Sequence, residues 1–321
     1  MMIRRIALLV AAFALPSLAA LDPALLALVP AGATTLAGAD LRQAKGSVFG
    51  QFVLSKMQAE EAEFQKLLDA TGFDPRRDVD QVLVAAFTPA SGTSRAQGLV
   101  LARGRYDAAR IAATAQASGS AVTSEGGVTL ISPGRSKSGL IAFPESTLAV
   151  VGDADAVRAA LARRPMSGPT EATLANLAAK WSDLDAWFVT TAASQLSGRM
   201  GAGNQKLQSS ALQSVEVVAG GVQLDGATVT ARLEAQTKTA QDATALADVA
   251  RFLAGMVQLN RNNDPQAAEI ARILDKAVIA SSGQVVTIEV SIPEADLERL
   301  INEASKSHGR KPASRRKEAA L

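Results

Sequence analysis

Histidine occurs once in the 321 residues, at His308, and cysteine does not occur. Together these two facts remove His-dependent triads, thiol nucleophiles, disulfides and Cys- or His-built zinc sites from the body of the chain. Any acid–base or metal chemistry therefore falls to carboxylates. Asp74, Asp78 and Asp80 stand close together and offer hard oxygen ligands for calcium. Their spacing departs from that of a calcium loop, and Arg76 and Arg77 lie among them, so local neutralisation is the simpler expectation. Asp153 and Asp155 form a second acid pair, at the predicted start of a helix, where capping and the helix dipole account for both.

Other patterns lose their chemistry on closer inspection. The stretch from Gly198 to Lys206 resembles a phosphate loop, but Asn204 occupies the lysine position and the hydroxyl for magnesium is missing. No Gly-x-Ser-x-Gly elbow occurs, and no Ser stands three residues before a Lys in the body of the chain. Trp181, Trp187 and Phe188 surround Asp183 and Asp185; the rings are expected to be core anchors rather than the walls of a pocket. The pairs Asp107/Arg110, Asp155/Arg158 and Asp296/Arg299 share a spacing that could clamp a ligand, yet acids at a helix start with an Arg one turn on explain it. Asp248/Arg251 repeats the spacing in mid-helix and is set aside. Site residues are accordingly none: no catalytic, cofactor-binding or metal-ligating residue is assigned, and no cofactor is implied.

The elements that position these residues can be read in order. Asp22 to Leu28 is a short helix and Thr34 to Ala39 a strand. A long helix starts near Ser47, with Phe49, Val53, Met57, Phe64 and Leu68 on one face. It ends at Thr71-Gly72-Phe73-Asp74-Pro75, where glycine and proline force a turn before the strand Val82 to Phe87. Gly98 to Arg103 is a strand and Tyr106 to Ala117 a helix. Hairpins over Ala121 to Ser132 and Gly139 to Val151 follow, then a helix from Asp153 to Arg163. Pro165 to Pro169 marks a boundary, and the halves meet between Pro165 and Asp185.

The second half repeats that order: a strand from Asp185 to Ala192, a helix from Gln205 to Leu212, and a hairpin turning at Asp225-Gly226. Helices from Thr239 to Leu259 and Pro265 to Lys276, a hairpin over Val278 to Val290 and a helix from Pro293 to Ala304 complete it. Thr147 to Arg158 aligns without a gap against Ile288 to Arg299, which suggests an internal duplication. Leu83, Val100, Ile141, Val150, Val217, Val229, Ile279 and Ile288 are expected to be buried on sheet faces. Adjacent hairpins interrupted by helices imply an α+β fold of two similar halves, each a mostly antiparallel sheet with helices packed on one face.

The ends carry the charge. Arg4 and Arg5, the apolar run from Ile6 to Leu15 and the small residues up to Ala20 read as an export signal, with an uncleaved anchor as the alternative. Lys306 to Leu321 holds six basic residues and one acid, leaving a body of 25 basic against 30 acidic side chains. That body is a poor general binder of nucleic acid, and the 4% aromatic content leaves few rings for stacking on bases or sugars. The tail is expected to be disordered, a solubilising extension or a tether to anionic lipid or cell-wall polymer.

Ala44 to Leu54 and Thr71 to Ala86 resemble segments of a family of uncharacterised exported bacterial proteins, related to a secreted domain of unknown function. The resemblance spans about residues 25 to 165 and implies export and a repeated α+β domain, with no catalytic residue to carry over. The resulting expectation is a signal peptide over 1–19, α+β units over 20–165 and 166–305, and a disordered basic tail over 306–321. The protein is placed in the periplasm or outside the cell, as a non-enzymatic envelope module with a binding or structural role. Its partner is a protein or an envelope polymer, with no nucleic acid and with membrane contact only through the tail. The alternatives are a carrier of an apolar or small ligand between the halves and a carboxylate-dependent hydrolase. An alanine-rich, ring-poor core gives the carrier no sign of a roomy cavity.

Overall fold

The computed structural model describes residues 21–47, 49–52, 65, 68–87, 97–132, 138–164, 168–169, 172–193, 213–262 and 265–299. The export segment, most of the helix begun near Ser47, the stretch from Gly198 to Lys206, the helix expected from Gln205 to Leu212 and the basic tail lie outside the described residues. The strands are β1 (Ala33–Asp40), β2 (Val79–Phe87), β3 (Gln97–Gly104), β4 (Ala121–Glu125), β5 (Val128–Ser132), β6 (Gly139–Glu145), β7 (Leu148–Asp153), β8 (Ala186–Thr190), β9 (Val215–Asp225), β10 (Thr228–Thr237), β11 (Val278–Ser282) and β12 (Val285–Pro293). The helices are α1 (Pro23–Ala27), α2 (Leu41–Gly46), α3 (Pro75–Asp78), α4 (Ala108–Ala117), α5 (Ala154–Ala162), α6 (Ala172–Trp181), α7 (Ala240–Asn260) and α8 (Pro265–Leu274).

Local chemistry sets the boundaries. Asp22, Asp40, Asp74 and Asp107 each accept a backbone N–H in the first turn of the helix they precede, at 2.9–3.0 Å, and Pro23 and Pro75 open α1 and α3. At the predicted junction, Gly72 takes φ +70 and donates its N–H to Leu68 O at 2.7 Å, closing the preceding helical turn before Asp74-Pro75. Asp225-Gly226 makes the tight turn between β9 and β10, with Gly226 at φ +64.

Among the described residues, all twelve strands join one sheet, ordered β11-β12-β10-β9-β8-β1-β2-β3-β7-β6-β5-β4, and every pairing is antiparallel. The fold is α+β, as the element pattern predicts. Outward from the seam between β1 and β8, the first half runs β2, β3, β7, β6 and the second β9, β10, β12, β11, with the hairpin β4–β5 added to the first.

The main core lies on one face of the sheet. There Leu36, Leu83, Leu101, Val150, Trp187 and Val189 pack under α1, α5 and α6. Helix α6 occupies part of the expected junction between the halves and inserts Leu174, Ala178 and Trp181 into that core. Among the described residues, the other face is covered only at its ends. Helix α4 packs on Ile131, Phe143 and Ala149 at one end, and α7 packs on Ala235, Ile279 and Val286 at the other. Helices thus lie on both faces rather than one, because the wings of so wide a sheet are apolar on both sides. Leu83, Val150 and Val229 are buried as expected; Val100, Ile141, Val217, Ile279 and Ile288 are half-buried, all but Val217 on the sparsely covered face.

Candidate functional site

Between the two helical ends, the uncovered face is hollow. The strand registers align Val84, Ala37, Phe188, Gly220, Leu233 and Ile288 in one row across six strands. The next row holds Val82, Ala39, Ala186, Val222, Ala231 and Val290. Ala37, Ala39, Ala186, Gly220 and Ala231 are too small to fill the space between the larger residues around them. Phe188 lies across Gly220, where a Cβ would meet its ring at 3.0 Å. The result is a trough of about 600 Å³ that crosses the seam between the halves and lies mostly on the strands of the second. Gly38, Trp187, Gly221 and Arg232 border it as alternates of the same strands. Their side positions belong to the opposite face, where the Trp187 ring occupies the place of a Gly38 Cβ and Arg232 Nε donates to Glu289 Oε2 at 2.9 Å.

The carboxylates follow another logic. Asp74 receives a bidentate guanidinium from Arg76 at 2.9 and 2.8 Å, and Asp78 one from Arg77 at 2.8 and 2.7 Å. Asp78 also accepts the Asp74 N–H at 2.9 Å, and Asp80 pairs with Lys45 at 3.2 Å. The guanidinium beside each holds Asp74 and Asp78 below the usual carboxylate range, which suits ion pairing and removes basicity. Among the described residues no group of three His, Asp or Glu side chains gathers to hold a metal.

Asp153 makes no side-chain cap to α5; its Oδ2 accepts Gly98 N–H from β3 at 2.9 Å, and Asp155 is exposed. Asp153 is thus engaged with β3 rather than capping α5 as expected. Arg110 reaches back to Asp69 O and Ala70 O rather than to Asp107, fastening α4 to the turn before Gly72. Asp296 does pair with Arg299, at 3.0 Å, and Asp248 with Arg251, at 2.8 Å. Trp181 and Trp187 are core anchors, Asp183 is exposed and Asp185 is buried.

A second cavity, a cleft of about 830 Å³, lies beside Asp78. Its wall is a run of three tilted rings, Phe73, Tyr106 and Phe143, with neighbouring centroids 5.5 and 5.6 Å apart. Tyr106 donates its hydroxyl to Ala102 O at 3.2 Å, and burial, with Asp80 and Asp78 adding, pushes that hydroxyl far above the ordinary phenol range. A neutral tyrosine and an Arg-bound aspartate supply neither a base nor a nucleophile near neutral pH. Sequence reasoning singled out the acids and missed the trough. Its signal was present in the small residues at alternate positions 37 and 39, but their partners on β8, β9 and β10 are set only by strand register.

The fold and this site describe an α+β protein built on one antiparallel sheet, with an apolar hollow across its middle. No family model matches the chain, and no curated protein does. Among solved structures it is similar to TP0453, a Treponema protein of unknown function. Crystal form III of that protein aligns at 15% identity and TM-score 0.55, over 88% of this chain and 98% of the other. Crystal form I aligns at 14% identity and TM-score 0.50, over 89% and 98%. The likeness establishes a shared fold across nearly the whole of both chains.

Proposed function

We propose that the chain is a non-enzymatic binding protein of the bacterial envelope, exported by its N-terminal segment, whose ligand is an apolar molecule carried in the trough between the halves. The observation that carries this reading is the trough's lining, apolar throughout on the face that forms it. Volume and character fit a small-molecule site, which is concave and mainly hydrophobic.

The strands also favour a small molecule over a peptide. All six strands under the trough have a neighbour on each side, so their amides are already paired. An extended peptide laid there would bury unpaired backbone groups, whereas hydrocarbon has none to satisfy. A sugar polymer finds one ring, Phe188, and no polar side chain. Against the hydrolase reading, the clustered acids are committed to Arg76, Arg77 and Lys45. The mirrored strand order on either side of the seam supports an origin by duplication, with the trough formed where the copies join.

The test is calorimetric titration of the delipidated full chain with laurate. Saturable one-site binding with a negative heat-capacity change is expected. It should be lost in the double variant Ala39→Leu, Ala231→Leu, which fills the floor while leaving cooperative unfolding intact. No saturable binding of laurate to the parent chain would sink the reading.

A further inference from the structure

The chemistry around the trough narrows the ligand class further, resting on the apolar-ligand reading above. On the trough face, the nearest polar side chains lie one residue pair beyond its two rows, and each is already committed. Thr35 and Thr190 hydrogen-bond each other at 2.8 Å, and the Thr190 hydroxyl also engages Thr34 O at 3.2 Å and the Ala192 N–H at 3.1 Å. On β2, Asp80 is held by Lys45, whose ammonium also donates to Arg77 O and Val79 O. Arg232 is turned to the opposite face and paired with Glu289. Among the described residues the site has no spare cation, anion or donor for a head group, so its lining complements only the uncharged hydrocarbon part of a ligand.

We propose that the trough recognises a hydrocarbon chain alone and is indifferent to the polar group at its end, which is left in water. Selectivity then resides in chain length and bulk. The floor of Ala37, Ala39, Ala186 and Ala231 admits a slender chain, while Phe188, lying across Gly220, narrows the row beside it. A binder of this kind takes fatty acids, fatty alcohols and the acyl tails of lipids as one class.

The experiment titrates the delipidated full chain with laurate, lauryl alcohol and lauryl trimethylammonium, which share a tail and differ in head charge. Octanoate and palmitate are then compared with laurate. The expected result is a spread of affinities below about tenfold across the three heads. Each added methylene should tighten binding by about fourfold until the trough is filled. Thr35→Val and Lys45→Met should leave the order of the three heads unchanged. One head preferred by more than about tenfold, or a loss confined to laurate in Lys45→Met, would overturn head-group indifference while leaving apolar-ligand binding standing. Failure of all three to bind would remove both.

Discussion

Asp185 and Glu294 each keep a buried side-chain oxygen without a hydrogen-bond partner. For Asp185 the consequence can be worked out. Its Oδ2 accepts the Leu224 N–H at 2.6 Å, but burial, with Asp40 nearby, raises its pKa above the ordinary 3.8. The folded chain thus holds this proton more tightly than the unfolded chain. The associated stability is complete below pH 3.8 and is lost as pH rises through the raised folded value. Asp185→Asn should therefore stabilise the protein at pH 7 by about 1 kcal/mol and flatten its stability between acid and neutral pH, as read by urea melts across that range. Asp78 has the opposite sign. Arg77 lowers its pKa, so its contribution is present above pH 3.8 and is lost as pH falls through the folded value. Asp78→Asn should weaken the turn at α3 without changing laurate affinity, because its carboxylate holds the chain and does not face the trough. A changed affinity in titrations of that variant would place the ligand elsewhere.

Within the strands, close packing is concentrated on the helix-covered face. A Cβ on Gly38 would fall 2.5 Å from the Trp187 ring, which is held between the sheet and the core helices. Gly38→Ala should cost about 1–3 kcal/mol, as overpacking does. Gly98 on β3 has open space where a Cβ would go, so Gly98→Ala should change stability by no more than about 0.5 kcal/mol in the same denaturant series. Helix α7 shows the same contrast along its length. Ala243 and Ala247 are fully buried against the sheet, whereas Phe252 and Leu259 are 63% and 81% exposed. Phe252→Ser should accordingly be near neutral for folding.

The largest unit is the sheet itself, which runs unbroken from β11 to β4 through the seam. Leu36 and Leu83 of the first half share one core with Leu174, Trp181, Trp187 and Val189 of the second. A chain cut to residues 20–165 loses β8 and α6, exposing the flank of β1 and the core beneath it. We expect that fragment to show no cooperative unfolding transition by near-ultraviolet dichroism, while the full chain does. A sharp transition from the fragment would show instead that each half is an independent domain. No helix among the described residues is long and apolar enough to cross a membrane.

Some of this was fixed by local chemistry and could be read in the chain. Whereas the short helices α2 and α3 were not expected from the sequence, the turns at Gly72-Phe73-Asp74-Pro75 and Asp225-Gly226 and the aspartates opening α1 and α4 are decided within a few residues. The α+β class follows from them. The pairing of Asp74 and Asp78 with Arg76 and Arg77 was legible for the same reason: partners one or two residues apart meet whatever the rest of the molecule does. The trough was not legible. Its alanines sit on β1, β8 and β10, brought side by side by pairings between residues as far apart as Ala37 and Phe188. Read singly, each is an ordinary small residue of a strand. Only the tertiary structure decides that they share one face and that, among the described residues, α4 and α7 leave the space between them open. Register is a long-range property, because each strand's hydrophobic alternation is compatible with several partners until the sheet assembles.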